Sequence, residues 1–481
     1  MAIILVLGLI SITLAVSYAM IRTQTGLVQS QVGGGLRAEA RQAAYTALSA
    51  AMQRMNQSAW SGTETAFTGT LGPTTSFAAE YVTGDLLLTT TDAQAGDWPY
   101  RVTITATGYA SDPAATSVVT TCKLEGVVQL IPRQRATNPS AWTTMSSHVV
   151  YQTNTDDCSF ELPLQIAGSV RLQGGMTLCS EYPSPTSCRN EYLSDLNEMR
   201  GAGSADCRPF TGPITLPFNE TTGAMRNLLT NNLGVTLTNA SGSAVSNWSH
   251  PGNVSTYRLY PGGKTYSAVA LGANVSNTTL AADPRTNPAG LFVRNGDVAI
   301  GGNTTIDGTL ISTADVQFSG SNISITPRLM PALDGTTVGA RLPAVVAGDD
   351  VYVNAGSSST VRGVVAVFDD FSCSAGTQAT RLDLQGRLLA RQILFGSRSE
   401  WDHGSFIWSI YWALFNDLLI PEYLPAYMQR VWNMQYSPQL TIAAWNDPAT
   451  SQWFNSSSPL YSVPSADSGL RWTLLRVREL P

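Results

Sequence analysis

The stretch "MAIILVLGLISITLAVSYAMIR", Met1–Arg22, decides how the rest of the chain is read. Met1 to Ile21 carries no charge, and Arg22 is the first basic residue. At about 1.5 Å per residue the run makes a helix of roughly 30 Å, the thickness of a bilayer's hydrocarbon core. A secretory signal would open on a basic region ahead of a shorter apolar core; here only Ser17 and Ala19 suggest a cleavage site. With Met1 as initiator, Arg22 would place the N-terminus outside, whereas a basic leader removed ahead of Met1 would have placed it in the cytoplasm. The expectation is a retained, membrane-spanning helix.

Thr23 to Val32 is polar but helix-compatible, and Gly33, Gly34 and Gly35 then predict a hinge, because each glycine costs a helix about 1 kcal/mol relative to alanine. Beyond them, "LRAEARQAAYTALSAAMQRMN" puts Leu36, Ala40, Ala44, Ala47, Leu48, Ala51 and Met55 on one face at helical spacing. A second, amphipathic helix is expected there. Such a pair, apolar first and amphipathic second with a soft joint between, resembles the first helix of type IV pilins and type II secretion pseudopilins. The likeness covers residues 1–58 and extends loosely to residue 135. It implies a leader removed by prepilin peptidase, storage in the inner membrane, and later packing against copies of itself or other pilin-like subunits through Ile3, Leu5, Leu7, Leu9, Leu14 and Ile21. Major pilins usually carry a glutamate at the fifth position, which pairs with a neighbour's terminal amine, and this chain has Leu5. That departure points toward a minor or tip subunit. A single-pass anchored exoprotein is the plainer alternative.

Composition suits an exported, β-rich protein. Only 13% of the 481 residues are charged and the net charge is -6, which argues against a nucleic-acid-binding surface. The six cysteines, Cys122, Cys158, Cys179, Cys188, Cys207 and Cys373, include no CxxC pair, so up to three disulfides can form, in fifteen connectivities, with Cys179–Cys188 preferred for its short loop. Zinc would want tighter pairs with histidines nearby.

"YRVTITATGYASDPAATSVVTTCKLEGVVQLIP" alternates Val102, Ile104 and Ala106 against Thr103, Thr105 and Thr107, turns at "SDPA", and resumes at Val118 to Ile131. An antiparallel hairpin packed on the second helix would make a small pilin-like head, and "PRQRATNPSAW" reads as a linker. A weak repeat follows: "LQGGM" at Leu172, "IDGTL" at Ile306, "VRGVV" at Val361 and "LQGRL" at Leu384. Short strands turning at Gly, Asn and Asp predict a β-solenoid, although a β-sandwich gives similar alternation. Long loops are expected between Arg189 and Pro288. Near the C-terminus, Trp408, Trp412, Tyr423, Tyr427 and Trp432 crowd a segment read either as a helical cap on the solenoid or as a contact patch.

No GxSxG, HExxH, Walker or GxGxxG motif is present, and His148, His250 and His403 are widely separated, so no enzyme and no cofactor are expected. The doublets Asp156/Asp157, Asp349/Asp350 and Asp369/Asp370 suit solvated turns, with calcium binding or glycosidase-type chemistry as alternatives. Asn56, Asn219, Asn239, Asn247, Asn253, Asn274, Asn277, Asn303, Asn322 and Asn455 begin N-x-S/T sequons. The expected fold is α+β and mainly β. It comprises a pilin-like helix over 1–58 (apolar 1–32, hinge 33–35, amphipathic 36–58), a head over 59–135, a β-solenoid-like domain over 136–400, and an aromatic cap over 401–481. The expected function is a structural subunit of a bacterial cell-surface pilus-like filament, with a membrane-tethered adhesive or carbohydrate-active protein as a further alternative.

Overall fold

A computed structural model describes the chain except residues 1, 58–59, 61, 63–64, 114, 131–133, 161–163, 179–207, 219–221, 241–244, 246–247, 332–338, 374–379, 396–439, 455–458 and 463–470. It divides into two units, one of Met1–Gln134 with Leu259–Lys264 and Tyr461–Pro481, the other of Arg135–Arg258 with Thr265–Leu460.

In the first unit a single helix α1 runs from Ala2 to Met55, about 80 Å at 1.5 Å per residue. The break expected at Gly33, Gly34 and Gly35 does not occur. Interrupting a helix forfeits hydrogen bonds and requires a second nucleus, and the strong formers that follow the glycines, Leu36, Arg37, Ala38, Glu39 and Ala40, keep the backbone helical. The packed half carries the expected face, with Ala43 added: Leu36, Ala40, Ala43, Ala44, Ala47, Leu48, Ala51 and Met55 are buried.

That face lies on an antiparallel sheet of β1 (Phe67–Thr70), β2 (Thr75–Thr83), β3 (Arg101–Asp112) and β4 (Ala115–Leu130), in which neighbours in sequence pair. Alternation aims Val102, Ile104 and Ala106 into the core, as the hairpin reading expected. Two glycines set the closeness of the helix. A Cβ on Gly108 would stand 2.0 Å from the Ala40 carbonyl oxygen, and one on Gly126 would stand 2.5 Å from Leu48 Cδ1. The alanine stripe and these glycines let backbone approach backbone.

The sheet's fifth strand comes from the far end of the chain. Trp472–Leu480 pairs antiparallel with β4, Trp472 opposite Leu130 and Leu480 opposite Lys123, with a bulge between Leu474 and Arg476. Trp472 is buried against Trp60 (ring centroids 5.6 Å apart) and Tyr260 (5.8 Å). The head expected over 59–135 is thus completed by residues from Leu259–Lys264 and from the C-terminus. The cap expected over 401–481 is not a body of its own: Trp472–Leu480 belongs to the head sheet and Leu440–Ala443 to the second unit, while Trp408, Trp412, Tyr423, Tyr427 and Trp432 lie outside the described residues.

The second unit is built from parallel ladders of short strands. One runs in the order Val269–Ala270, Leu291–Arg294, Thr309–Ser312, Val345–Ala347, Ser358–Val367, Arg381–Ala390, Val150–Gln152, Val170–Arg171, Ile214–Leu216, Leu237–Asn239. A second includes Val298–Ile300, Val316–Phe318, Val351–Val353, Asp370–Cys373, Gln392–Phe395 and Cys158–Phe160. A third joins Thr279–Ala281, Thr304–Asp307 and Ile323–Thr326 to Ser358–Val367. The inward side chains, among them Val298, Val316, Val351, Phe371 and Ile393, form one continuous buried core. "VRGVV" and "LQGRL" prove to be register partners, Val361 opposite Leu384 and Gly363 opposite Gly386. A Cβ on Gly386 would stand 1.7 Å from the Gly363 carbonyl oxygen, so the corner where both strands bend admits only glycine.

Stacking order departs from chain order. The first strand of the unit, Val150–Gln152, pairs with Leu388–Ala390, and Leu164–Ala167 pairs with Leu440–Ala443. At one set of turns Asn277, Asn303 and Asn322 adopt left-handed backbone (φ 50°, 53° and 59°), which asparagine tolerates better than most residues. Asn303 Nδ2 donates to Asn277 Oδ1 and Asn322 Nδ2 to Asn303 Oδ1, each at 3.2 Å. The amide nitrogens of the Asn303 and Asn322 sequons are thereby engaged in a ladder.

Candidate functional site

The sharpest contrast in the chain lies along α1. Every described residue from Ala2 to Gly35 is exposed, including Ile3 (76%), Leu5, Leu7, Leu9, Leu14 and Ile21, whereas the next helical residue, Leu36, begins the packed face. The exposed half, long and apolar enough to cross a membrane, is about 50 Å of helix. Each large aliphatic chain on it would gain roughly 1.5–3 kcal/mol on full burial. Four of its hydroxyls do not oppose such burial. Ser11 donates to the Leu7 carbonyl, Thr13 to Leu9, Thr23 to Ala19 and Thr25 to Ile21, each one turn back, so these hydroxyls are satisfied within the helix. The surface can therefore enter lipid or pack against other helices.

The acidic doublets form a second feature. Asp297 Oδ1 accepts from the Asp315 amide at 3.4 Å, Asp315 Oδ1 from the Asp350 amide at 3.1 Å, and Asp350 Oδ1 from the Asp370 amide at 2.8 Å. One aspartate per rung thus caps the next. Burial, then the charges of neighbouring aspartates, pushes the Asp315 and Asp370 carboxyls above the usual range. Arg391 relieves one end, with its Nε 3.0 Å from Asp156 Oδ2 and its Nη1 2.5 Å from Asp369 Oδ1. Carboxylate oxygens of Asp315, Asp349 and Asp350, and of Asp350, Asp369 and Asp370, fall within 4.8 Å of one another, oxygen donors of the kind that calcium prefers. Much of their hydrogen-bonding capacity is already used inside the ladder.

Cysteine pairing differs from the expectation. Cys122, Cys158 and Cys373 are buried free thiols. Cys158 lies opposite Met176 and Cys373 opposite Phe395, on strands separated by Gln392–Phe395. Two strand spacings, about 9–10 Å, exceed the reach of a disulfide. Cys179, Cys188 and Cys207 lie outside the described residues.

The histidines are dispersed. His148 is held below its usual pKa by burial and by Arg171, and its ring lies 5.7 Å from that of Tyr151. His250 Nδ1 accepts from the Gly252 amide at 2.9 Å, and its ring meets Phe368 edge-on at 5.4 Å. His403 lies outside the described residues. The sequence reading missed the partners of two buried head carboxylates. Asp85 and Glu125 are met by Arg476 and Arg478 of the C-terminal strand, and the only signal was the alternation of arginines in "LLRVREL". No protein-family model matches the chain, and no curated protein matches it in sequence.

Proposed function

We propose that the chain is a structural subunit of an extracellular type IV pilus-like filament, held in the inner membrane by Met1 to Ile21 before assembly and polymerising through that helix afterwards. One observation carries the reading: a single continuous helix is exposed along residues 2–35, apolar as far as Ile21, and packed on a small antiparallel sheet along its other half. Lipid and a bundle of identical helices are interchangeable environments for such a surface, since both remove apolar area from water. The parallel ladders of the second unit, with stacked Asn277, Asn303 and Asn322, are read as a β-solenoid borne outside the filament core.

Leu5 favours a second reading. It is 67% exposed and stands where an acid would pair with a neighbour's terminal amine, so a minor or tip subunit, needing no such partner, fits that position. Sheared cell-surface filaments, imaged and identified by mass spectrometry, separate the two readings by stoichiometry. Leu9→Lys tests the helix itself. A charge in a helical core costs several kcal/mol unless paired, so filaments should be lost while the precursor accumulates. Filament yield unchanged by that substitution would leave the segment an anchor only.

A further inference from the structure

Asp85 and Glu125 are 1% and 4% exposed, and both are carboxylates inside the head. Within the head's own N-terminal segment, Asp85 is met by Arg101 Nη1 at 3.1 Å. The remaining guanidinium groups come from the last strand. Arg476 Nη1 lies 2.9 Å from Asp85 Oδ2 and its Nη2 2.5 Å from Asp85 Oδ1, and Nη2 also lies 3.7 Å from Glu125 Oε1. Arg478 places Nε 2.8 Å from Glu125 Oε1 and Nη2 2.8 Å from Glu125 Oε2. Removing one partner of a buried ion pair strands the other charge, which destabilises far more than the pair stabilises.

The strand also brings Trp472 into the ring cluster with Trp60 and Tyr260, and its entry is pinned by Asn56, just past the end of α1. An edge strand is usually dispensable. This one carries the neutralising charges and a core aromatic of the sheet it borders.

We infer that Trp472–Leu480 is a completion lock: the head that carries α1 closes only when this strand, which follows the whole second unit in the chain, docks and neutralises Asp85 and Glu125. Any chain interrupted before that strand presents its N-terminal helix on an open head. The device couples readiness of the head to arrival of residues 472–480, and it holds whether or not the chain forms filaments.

The full chain in detergent tests this by pulse-labelled hydrogen exchange during refolding. Amides of Val102–Leu130 should gain protection together with those of Trp472–Leu480; protection of β3 and β4 ahead of the C-terminal strand would overturn the lock. The full chain carrying Arg476→Gln and Arg478→Gln should exchange at least tenfold faster through β3 and β4, with Val345–Ala347 in the second unit unchanged. Adding Glu125→Gln should restore much of the protection, because that carboxylate then carries no stranded charge while Asp85 keeps Arg101. Unchanged exchange in the arginine variant, or failure of Glu125→Gln to restore it, would overturn the proposal.

Discussion

Asn56 and Trp472, 416 positions apart, are joined by a hydrogen bond from the Trp472 amide to Asn56 Oδ1 at 3.0 Å. The same oxygen accepts from the Arg471 amide at 2.8 Å, while Nδ2 donates to the Met52 carbonyl at 2.9 Å. One side chain thus closes the end of α1 and receives the start of the last strand. Asn56→Ala leaves two amides without their acceptor and should lower the head's stability by about 1–2 kcal/mol. Denaturant unfolding, with exchange measured at Arg471 and Trp472, checks it. Because the amide nitrogen is engaged, the Asn56 sequon should be unglycosylated.

Gly108 sits beneath the helix at a place no side chain can share. Gly108→Ala drives a methyl group into the Ala40 carbonyl oxygen and to 2.5 Å from the Ala44 amide nitrogen, so the helix must lift from the sheet. A loss of about 1–3 kcal/mol is expected from overpacking of this kind. Gly34→Ala, on the exposed half where nothing lies within 4 Å, should leave the head's melting temperature unchanged.

The two units should answer acid with opposite signs. Burial works against ionising Asp85, but hydrogen bonds from Arg476, the Leu87 amide and Arg101 outweigh it and hold the carboxyl below its usual value of 3.8. Its contribution is present above the unfolded value and is lost as pH falls through the lower folded one. Asp315 and Asp370 lie above theirs, so their contribution is full below the unfolded value and is lost as pH rises through the folded one. Exchange protection measured from pH 7 downward should therefore improve in the aspartate ladder before the head weakens below about pH 4. Asp350→Asn keeps an acceptor for the Asp370 amide and removes a charge between neighbours, so it should flatten the ladder's response.

Asn303 combines left-handed backbone with two ladder bonds, and substitutions can separate them. Asn303→Gly keeps the backbone and loses the amide, whereas Asn303→Ala loses both and adds a strain of about 1–2 kcal/mol. Urea unfolding of the second unit should rank the alanine variant below glycine, and glycine below the parent. Equal stability of the two variants would show that the backbone conformation is not strained there.

Much of the first unit was legible because its signals are local. An uncharged run of helix length, a stripe at 3.6-residue spacing from Leu36 to Met55, and period-two alternation either side of Asp112 are written in consecutive residues. Gly33, Gly34 and Gly35 do not form the hinge that local propensity predicts, because about 1 kcal/mol per glycine is outweighed by a helix that is cooperative over many turns. "VRGVV" and "LQGRL" were recognised as alike because stacked strands need the same inward residues, and they do pair.

The sequence by itself determined the exposed apolar helix, the hairpin and the character of the parallel strands, since each depends on the periodicity of side chains along one segment. Only the tertiary structure decided that Trp472–Leu480 closes the head, that Val150–Gln152 stacks on Leu388–Ala390, and that Arg391 sits between Asp156 and Asp369. The reason is physical. Backbone hydrogen bonding makes any strand edge acceptable to many others, and the choice among them rests on buried charge, corner glycines and ring packing, which come together only once distant segments meet.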